Sequence, residues 1–191
     1  MNNIEYNLMP QGQVLQDFAD CRARNSFIMG PLGSGKTVQC ILKLFDLMCE
    51  QEPVQDPNHK HYGVRLSRVI AARNTYSELF STTIKDWLEI HGELGDFKQG
   101  NKEPPTHFLR FNLEDGTSVH CDVVFIAFDR PEHVKKARGI QTTWVWLNET
   151  KEHSKLNRKK CVGGSLFPCL KSPSSPCISS QSLIVVENSS E

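Results

Sequence analysis

The sequence holds no C-x-x-C pair, no apolar run long enough to span a membrane, and no surplus of charge of either sign. Each absence removes a class of protein. The seven cysteines (Cys21, Cys40, Cys49, Cys121, Cys161, Cys169 and Cys177) are scattered and odd in number, which fits reduced thiols in a cytosolic protein better than a disulfide or zinc framework. With no apolar stretch approaching about 20 residues, no membrane span is expected. The polar start MNNIEYN does not read as a secretory signal. Lys plus Arg equals Asp plus Glu, so nothing global draws the chain to nucleic acid, although a local basic patch stays open. A chain of 191 residues suffices for one domain with a sizeable core and is short for two.

What is present is an alternation of strand-like and helix-like segments. GQVLQDFAD reads as a short helix, and Phe27-Ile28-Met29 as a short buried strand. From Lys36 to Cys49 the apolar residues Val38, Ile41, Leu42, Phe45 and Met48 recur at helical spacing. Residues 51–63 are polar, with two prolines and a glycine, and read as a loop. SRVIAA is a second strand. Thr75 to Ile90 is a helix with Leu79, Ile84, Trp87 and Leu88 on its apolar side. A long polar loop is expected near GDFKQGNKEPP, and then a hairpin across EDG in THFLRFNLEDGTSVHCDVVFIAF. RPEHVKKARG suits a short helix with Pro131 in its first turn, and TTWVWLNE a further buried strand. The pattern predicts an α/β fold with a mostly parallel sheet flanked by helices and an antiparallel hairpin added.

After about residue 152 the composition changes. KEHSKLNRKK is basic and aperiodic, and residues 161–191 hold nine serines and three prolines among 31 residues. No packed element is expected in 153–191, which reads as a tail that is mostly disordered.

The segment FIMGPLGSGKT carries the chemistry. Gly30, four residues, then Gly35-Lys36-Thr37 satisfies G-x-x-x-x-G-K-[ST]. In this reading Gly30, Gly33 and Gly35 permit left-handed backbone and let N–H groups approach an anion, with Pro31, Leu32 and Ser34 completing the loop. The helix that follows directs its N-terminal dipole at the same place. Lys36 can reach the β- and γ-phosphates of a nucleotide, and Thr37 can offer its hydroxyl to Mg²⁺. The competing reading is a flexible glycine turn that happens to precede Lys-Thr. The apolar strand before the turn and the amphipathic helix after it favour the phosphate loop. ATP with Mg²⁺ is therefore the expected ligand.

Such a site needs an acidic group at the end of another strand to help hold the metal and orient water. WVWLNE offers Asn148 and Glu149 after four apolar residues. Glu149 is the candidate general base and Asn148 the metal-side candidate, although a neutral amide there holds Mg²⁺ less well than a carboxylate. Asp129, after VVFIAF, is the rival.

Taken together, FIMGPLGSGKT, RVIAARNTYSEL, STTIKDWLE and FIAFDRPEHVKKARGIQTTWVWLNETKE resemble the ATPase domain of tailed-phage terminase large subunits over about residues 10–152. The resemblance implies a P-loop NTPase of the additional-strand catalytic-glutamate type. It implies ATP hydrolysis coupled to translocation of double-stranded DNA into a procapsid in the bacterial cytosol. The implied partners are the portal protein, the terminase small subunit, and further copies of the chain in a ring on the portal. Lys36 and Thr37 match the Walker A positions and Glu149 the catalytic glutamate. Arg73 matches the arginine of the strand-to-helix segment, with a phosphate-sensing or trans-acting role or, equally, a capping role at that turn. Gln11, Gln13 and Gln16 fall where such proteins recognise adenine, or are polar surface.

The chain departs from that pattern too. Acidic residues are absent between Glu152 and Glu187, leaving no carboxylate cluster for a metal-dependent nuclease domain. The expectation is an ATPase domain without nuclease, truncated as in a decaying prophage, with a tail resembling a shifted reading frame. Lys151, Lys155, Arg158, Lys159 and Lys160 form a basic cluster that is either a solvated tail or a contact for DNA phosphates. Two other classes stay open. One is a P-loop small-molecule kinase, against which stands the lack of a lid arginine cluster. The other is an inactive nucleotide-binding fragment.

Overall fold

The structure is a computed structural model that describes residues 10, 12–100, 103–129 and 140–149, and the backbone of 182–188. Its elements in chain order are α1 (Gln13–Asp20), β1 (Asn25–Gly30), α2 (Lys36–Glu50), β2 (Val64–Arg73) and α3 (Tyr76–Glu78). A π-helical turn (Leu79–Ile84) then runs into α4 (Lys85–His91) and a 3₁₀ turn (Gly92–Leu94). The strands β3 (Gly95–Lys98), β4 (Thr106–Asn112), β5 (Ser118–Ala127), β6 (Trp144–Asn148) and β7 (Ser182–Asn188) follow. All seven strands join one sheet in the order β1-β7-β6-β2-β5-β4-β3. The first five in that order run parallel, and β4 and β3 add on antiparallel.

The alternation of buried side chains shows how the sheet is covered. Val69, Ala71, Val123, Phe125, Trp144 and Trp146 face one side, where they meet Cys40, Ile41, Leu44 and Met48 of α2 and Leu79, Ile84 and Trp87 of the helical stretch. Ile70, Ala72, Val124, Ile126, Phe128, Val145 and Leu147 form a second cluster on the other side. Strands buried on both faces are expected to be continuous apolar runs, and WVWL in β6 is one. The hairpin turn is closed by Gly116 at φ 81° and by Asp115, whose carboxylate accepts from Thr117 and pairs with Arg65 at 2.6 Å.

Several expectations are corrected. Residues 182–188 do build an element: Leu183-Ile184-Val185-Val186 is a contiguous apolar run with three β-branched residues, and β7 lies between β1 and β6. It was obscured by the Ser- and Pro-rich sequence before it. Gly95–Lys98, expected within a loop, is an edge strand paired with β4. The helix expected over Thr75–Ile90 is interrupted by a π-helical turn. The strand Phe27–Met29 is buried on one side only, with Phe27 and Met29 61% and 62% exposed on the other. The expected helix at 130–139, the basic cluster at 151–160 and the rest of the tail lie outside the described residues.

Helix α1 is tied down by two cations. Lys43 of α2 is buried and donates through Nζ to the Phe18 carbonyl at 2.5 Å and to the Cys21 carbonyl. It thereby satisfies carbonyls that the end of α1 leaves unpaired. Burial pulls the Lys43 ammonium below its usual range. Arg22 grips Glu50 with two hydrogen bonds, at 2.9 and 2.6 Å, and its Nη1 donates to the Ala19 carbonyl. The described cysteines Cys21, Cys40, Cys49 and Cys121 are free thiols.

Candidate functional site

Three polar groups gather at the carboxyl ends of the parallel strands. The first is the loop between β1 and α2. Gly33 and Gly35 have φ of 73° and 77°, a conformation costly to any residue with a Cβ. Gly35 is also the residue that caps α2, so the left-handed backbone turns the chain directly into the helix. Gly30 is not left-handed, contrary to expectation. What it supplies is space, since a Cβ there would meet Ser34 Oγ at 3.3 Å and Lys36 Cδ at 3.7 Å. Successive N–H groups in such a loop, at the start of a 15-residue helix, form a concave positive site.

Lys36 is buried within this loop. Its Nζ donates to the Pro31 carbonyl at 2.5 Å and to Ser34 Oγ at 3.0 Å, and Ser34 Oγ itself donates to Pro31 at 2.8 Å. Both acceptors are neutral. A phosphate oxygen carries a negative charge and adds ion-pair attraction that a carbonyl or hydroxyl lacks, so an arriving polyphosphate can draw the ammonium away from them. Thr37, the next residue, is partly exposed in the first turn of α2.

The second group is the end of β6. Asn148 is only 2% exposed. Strand alternation puts it on the side of Trp144 and Trp146, the side covered by α2. Its Nδ2 donates to Thr83 Oγ1 at 3.1 Å, while its Oδ1 is buried with no hydrogen-bond partner. Glu149 follows with φ 56°, the one left-handed non-glycine among the described residues. That backbone ends the strand and takes the Glu149 side chain off the alternating pattern. β6 stands two strands from β1, with β7 between, which is about 10 Å at ordinary strand spacing. Asp129 follows β5, four strands from β1 or about 19 Å, which places it farther from the loop.

The third group is Arg73, the last residue of β2. Its Nη1 donates to Thr82 Oγ1 at 3.3 Å, and its Nε lies 3.8 Å from Glu78 Oε2. The side chain is thus drawn onto the following helical stretch. Thr75 caps that stretch, accepting from the Glu78 backbone N–H and donating to its carboxylate at 2.7 Å.

The structure therefore brings Gly30–Thr37, Asn148, Glu149 and Arg73 to one end of one sheet. Gln13 and Gln16 do not join them, being paired with Asp17 and Asp20 along α1 at 2.6 and 3.0 Å. Gln11 lies outside the described residues. Leu15 of α1 does approach the loop, its Cδ1 being 3.6 Å from where a Cβ on Gly35 would sit. Thr83 and Lys43 were missed. Thr83 left a signal, a hydroxyl four residues from both Leu79 and Trp87 on an otherwise apolar stripe.

No protein-family model matches the chain, and no curated protein matches it. Among solved structures it is similar to the large terminase of a thermophilic bacteriophage, with a TM-score of 0.61 and 10% identity over 91% of this chain and 37% of that one. It is also similar to the large terminase ATPase domain of Thermus phage P74-26, with a TM-score of 0.55 and 13% identity over 93% of this chain and 64% of that one. The first of these terminases, in complex with ATP-γ-S, matches with a TM-score of 0.53 at 10% identity. The chain thus spans well under half of the thermophilic phage's terminase and just under two thirds of the P74-26 domain. At these identities the likeness establishes the fold. The chain has the P-loop NTPase fold of the terminase ATPase domains, with β7 lying between β1, which leads into the glycine loop, and β6, which ends in Asn148-Glu149.

Proposed function

We propose that this chain is the ATP-binding and ATP-hydrolysing part of a terminase-type motor that moves double-stranded DNA. The observation that carries the reading is the meeting, at one end of one sheet, of a left-handed glycine loop holding Lys36 with a second strand end presenting Asn148 and Glu149. The fold shared with the large terminases of the thermophilic bacteriophage and of phage P74-26 supports the motor class over a small-molecule kinase. That the former terminase is known with ATP-γ-S supports a nucleoside triphosphate as the ligand.

The residues fit Mg²⁺-ATP. The loop from Gly30 to Gly35 offers N–H groups to phosphate oxygens, and Lys36 offers a cation it now spends on neutral acceptors. Thr37 and Asn148 are the residues that would hold Mg²⁺ or its water. The unpartnered Asn148 Oδ1 is an oxygen donor of the kind a hard cation takes. When bound, the ion neutralises charge on the phosphates. Glu149 takes a proton from the attacking water and orients it, and Arg73 stands one strand away as a sensor of the phosphate end. By the same reading the chain works as a ring on a phage portal, with a small subunit and DNA as further partners, in the host cytosol. No helix among the described residues is long and apolar enough to cross a membrane.

The test is calorimetric titration of ATP with Mg²⁺, with steady-state hydrolysis measured with and without DNA and portal. Lys36→Ala should abolish binding. Glu149→Gln should keep binding and lose turnover. Equal affinity of Lys36→Ala and the parent removes the site assignment. Full turnover by Glu149→Gln makes Asp129 the next candidate. A parent that binds ATP without releasing phosphate under any condition is the inactive fragment.

A further inference from the structure

Two adjacent strand ends are held by two consecutive threonines. Thr82 Oγ1 accepts from Arg73 at the end of β2, and Thr83 Oγ1 accepts from Asn148 at the end of β6. β2 and β6 are direct neighbours, with Ala72 opposite Leu147. Both threonines lie in the π-helical turn Leu79–Ile84, and wide turns of this kind recur at functional sites. Thr82 also donates to the Glu78 carbonyl at 2.7 Å, a bond that holds its hydroxyl in place.

Thr83 is the more telling of the two. It is fully buried on a stripe otherwise made of Leu79, Ile84 and Trp87. A hydroxyl there costs stability unless it has a partner. Its partner is the amide nitrogen of Asn148, which donates to the Thr83 oxygen. With Nδ2 committed to Thr83, the acceptor Oδ1 is left as the unpartnered end. The opposite amide orientation would leave two N–H donors toward the site and no oxygen for a cation. An aspartate at this position would not need such a partner, because both of its oxygens are acceptors.

We infer that Thr83 is a positioning residue for the nucleotide site: it fixes the Asn148 amide with its oxygen free for Mg²⁺ or a Mg²⁺-bound water. This rests on the reading of Asn148 as the metal-side residue given above. Thr83 thereby also joins the metal-holding strand end to the helical stretch that carries Glu78 and receives Arg73, so both neighbouring strand ends bear on one turn.

The experiment measures ATP affinity by calorimetry as Mg²⁺ is varied, in the parent, Thr83→Val, Thr83→Ser, Thr83→Ala and Lys36→Ala, together with ADP affinity in chelator. Valine keeps the shape of threonine and removes the hydroxyl. Thr83→Val should raise the Mg²⁺ needed for half-maximal ATP binding by about 5-fold, the loss of one ordinary hydrogen bond. Metal-free ADP affinity should not change, and Thr83→Ser should restore the parent's Mg²⁺ requirement. Should the valine variant fail to fold, Thr83→Ala is read instead, with the same direction expected. An unchanged Mg²⁺ requirement in the valine or alanine variant, with Lys36→Ala still abolishing binding, overturns the inference and leaves the site standing. So does a loss of metal-free ADP affinity equal to the loss of ATP affinity, since that is a structural role only. Parent-like binding by Lys36→Ala instead overturns the reading of the site on which the inference rests.

Discussion

Glu149→Gly and Glu149→Ala delete the same carboxylate and differ only in a Cβ, so their difference in stability isolates the backbone. At most positions the glycine variant is the less stable by about 0.5–1 kcal/mol, because glycine loses more freedom on folding. At φ 56° the balance changes. A Cβ in left-handed backbone crowds the following carbonyl at a cost of about 1–2 kcal/mol, which glycine escapes. The difference predicts that Glu149→Gly is more stable than Glu149→Ala by about 0.5–1 kcal/mol, the reverse of the ordinary order. In a domain of this size that is a shift of about 1–4 °C in melting temperature. Glu149→Gln keeps both the Cβ and the backbone, and should melt near the parent. The assay is urea unfolding of the three variants and the parent at one pH, with ATP hydrolysis measured in parallel. On the proposed function all three variants lose turnover while only the glycine variant loses the strain. An alanine variant equal to or more stable than the glycine variant refutes the argument that strain is stored at this strand end.

Acid should weaken the fold through His91. Burial, then the neighbouring His107, holds its imidazole down to about 4, while an adjacent backbone carbonyl opposes the shift, and its ring stacks on Phe45 at 5.0 Å. A base with a depressed folded value binds fewer protons folded than unfolded, so its contribution is complete above about 6.5 and is lost as pH falls toward about 4. Between pH 7 and 5 this amounts to about 2 kcal/mol. The parent should therefore lose about that much more than His91→Phe in urea titrations at the two pH values, and equal losses would refute it. Gly95→Ala should destabilise the fold by about 2 kcal/mol, since its Cβ would lie 2.0 Å from the Phe108 carbonyl oxygen and push β3 off β4. A parent-like melting temperature for that variant would show that the edge strand yields at no cost.

The left-handed glycine loop was legible because its residues are local. Gly33, Gly35, Lys36 and Thr37 follow one another in the chain, and the helix they start shows its own period. The same holds for β6, whose apolar run stops abruptly at Asn148 and Glu149. The alternation of strands and helices from α1 to α4 and the antiparallel hairpin were visible for the same reason. Tertiary structure alone decided the rest. Leu183–Val186 looks like a fragment in a polar tail until β1 and β6 stand two strand-widths apart with unpaired backbone between them, and β7 fills that place. The role of Lys43 depends on the end of α1 being brought within reach of α2, and the greater distance of Asp129 than of Glu149 from the glycine loop depends on the order of strands. The orientation of the Asn148 amide depends on a threonine 65 residues earlier in the chain. Periodicity and motif spacing record which face of its own element a residue occupies. Which group lies opposite is set by packing between elements distant in sequence, and here that packing decides which atom of Asn148 is left free.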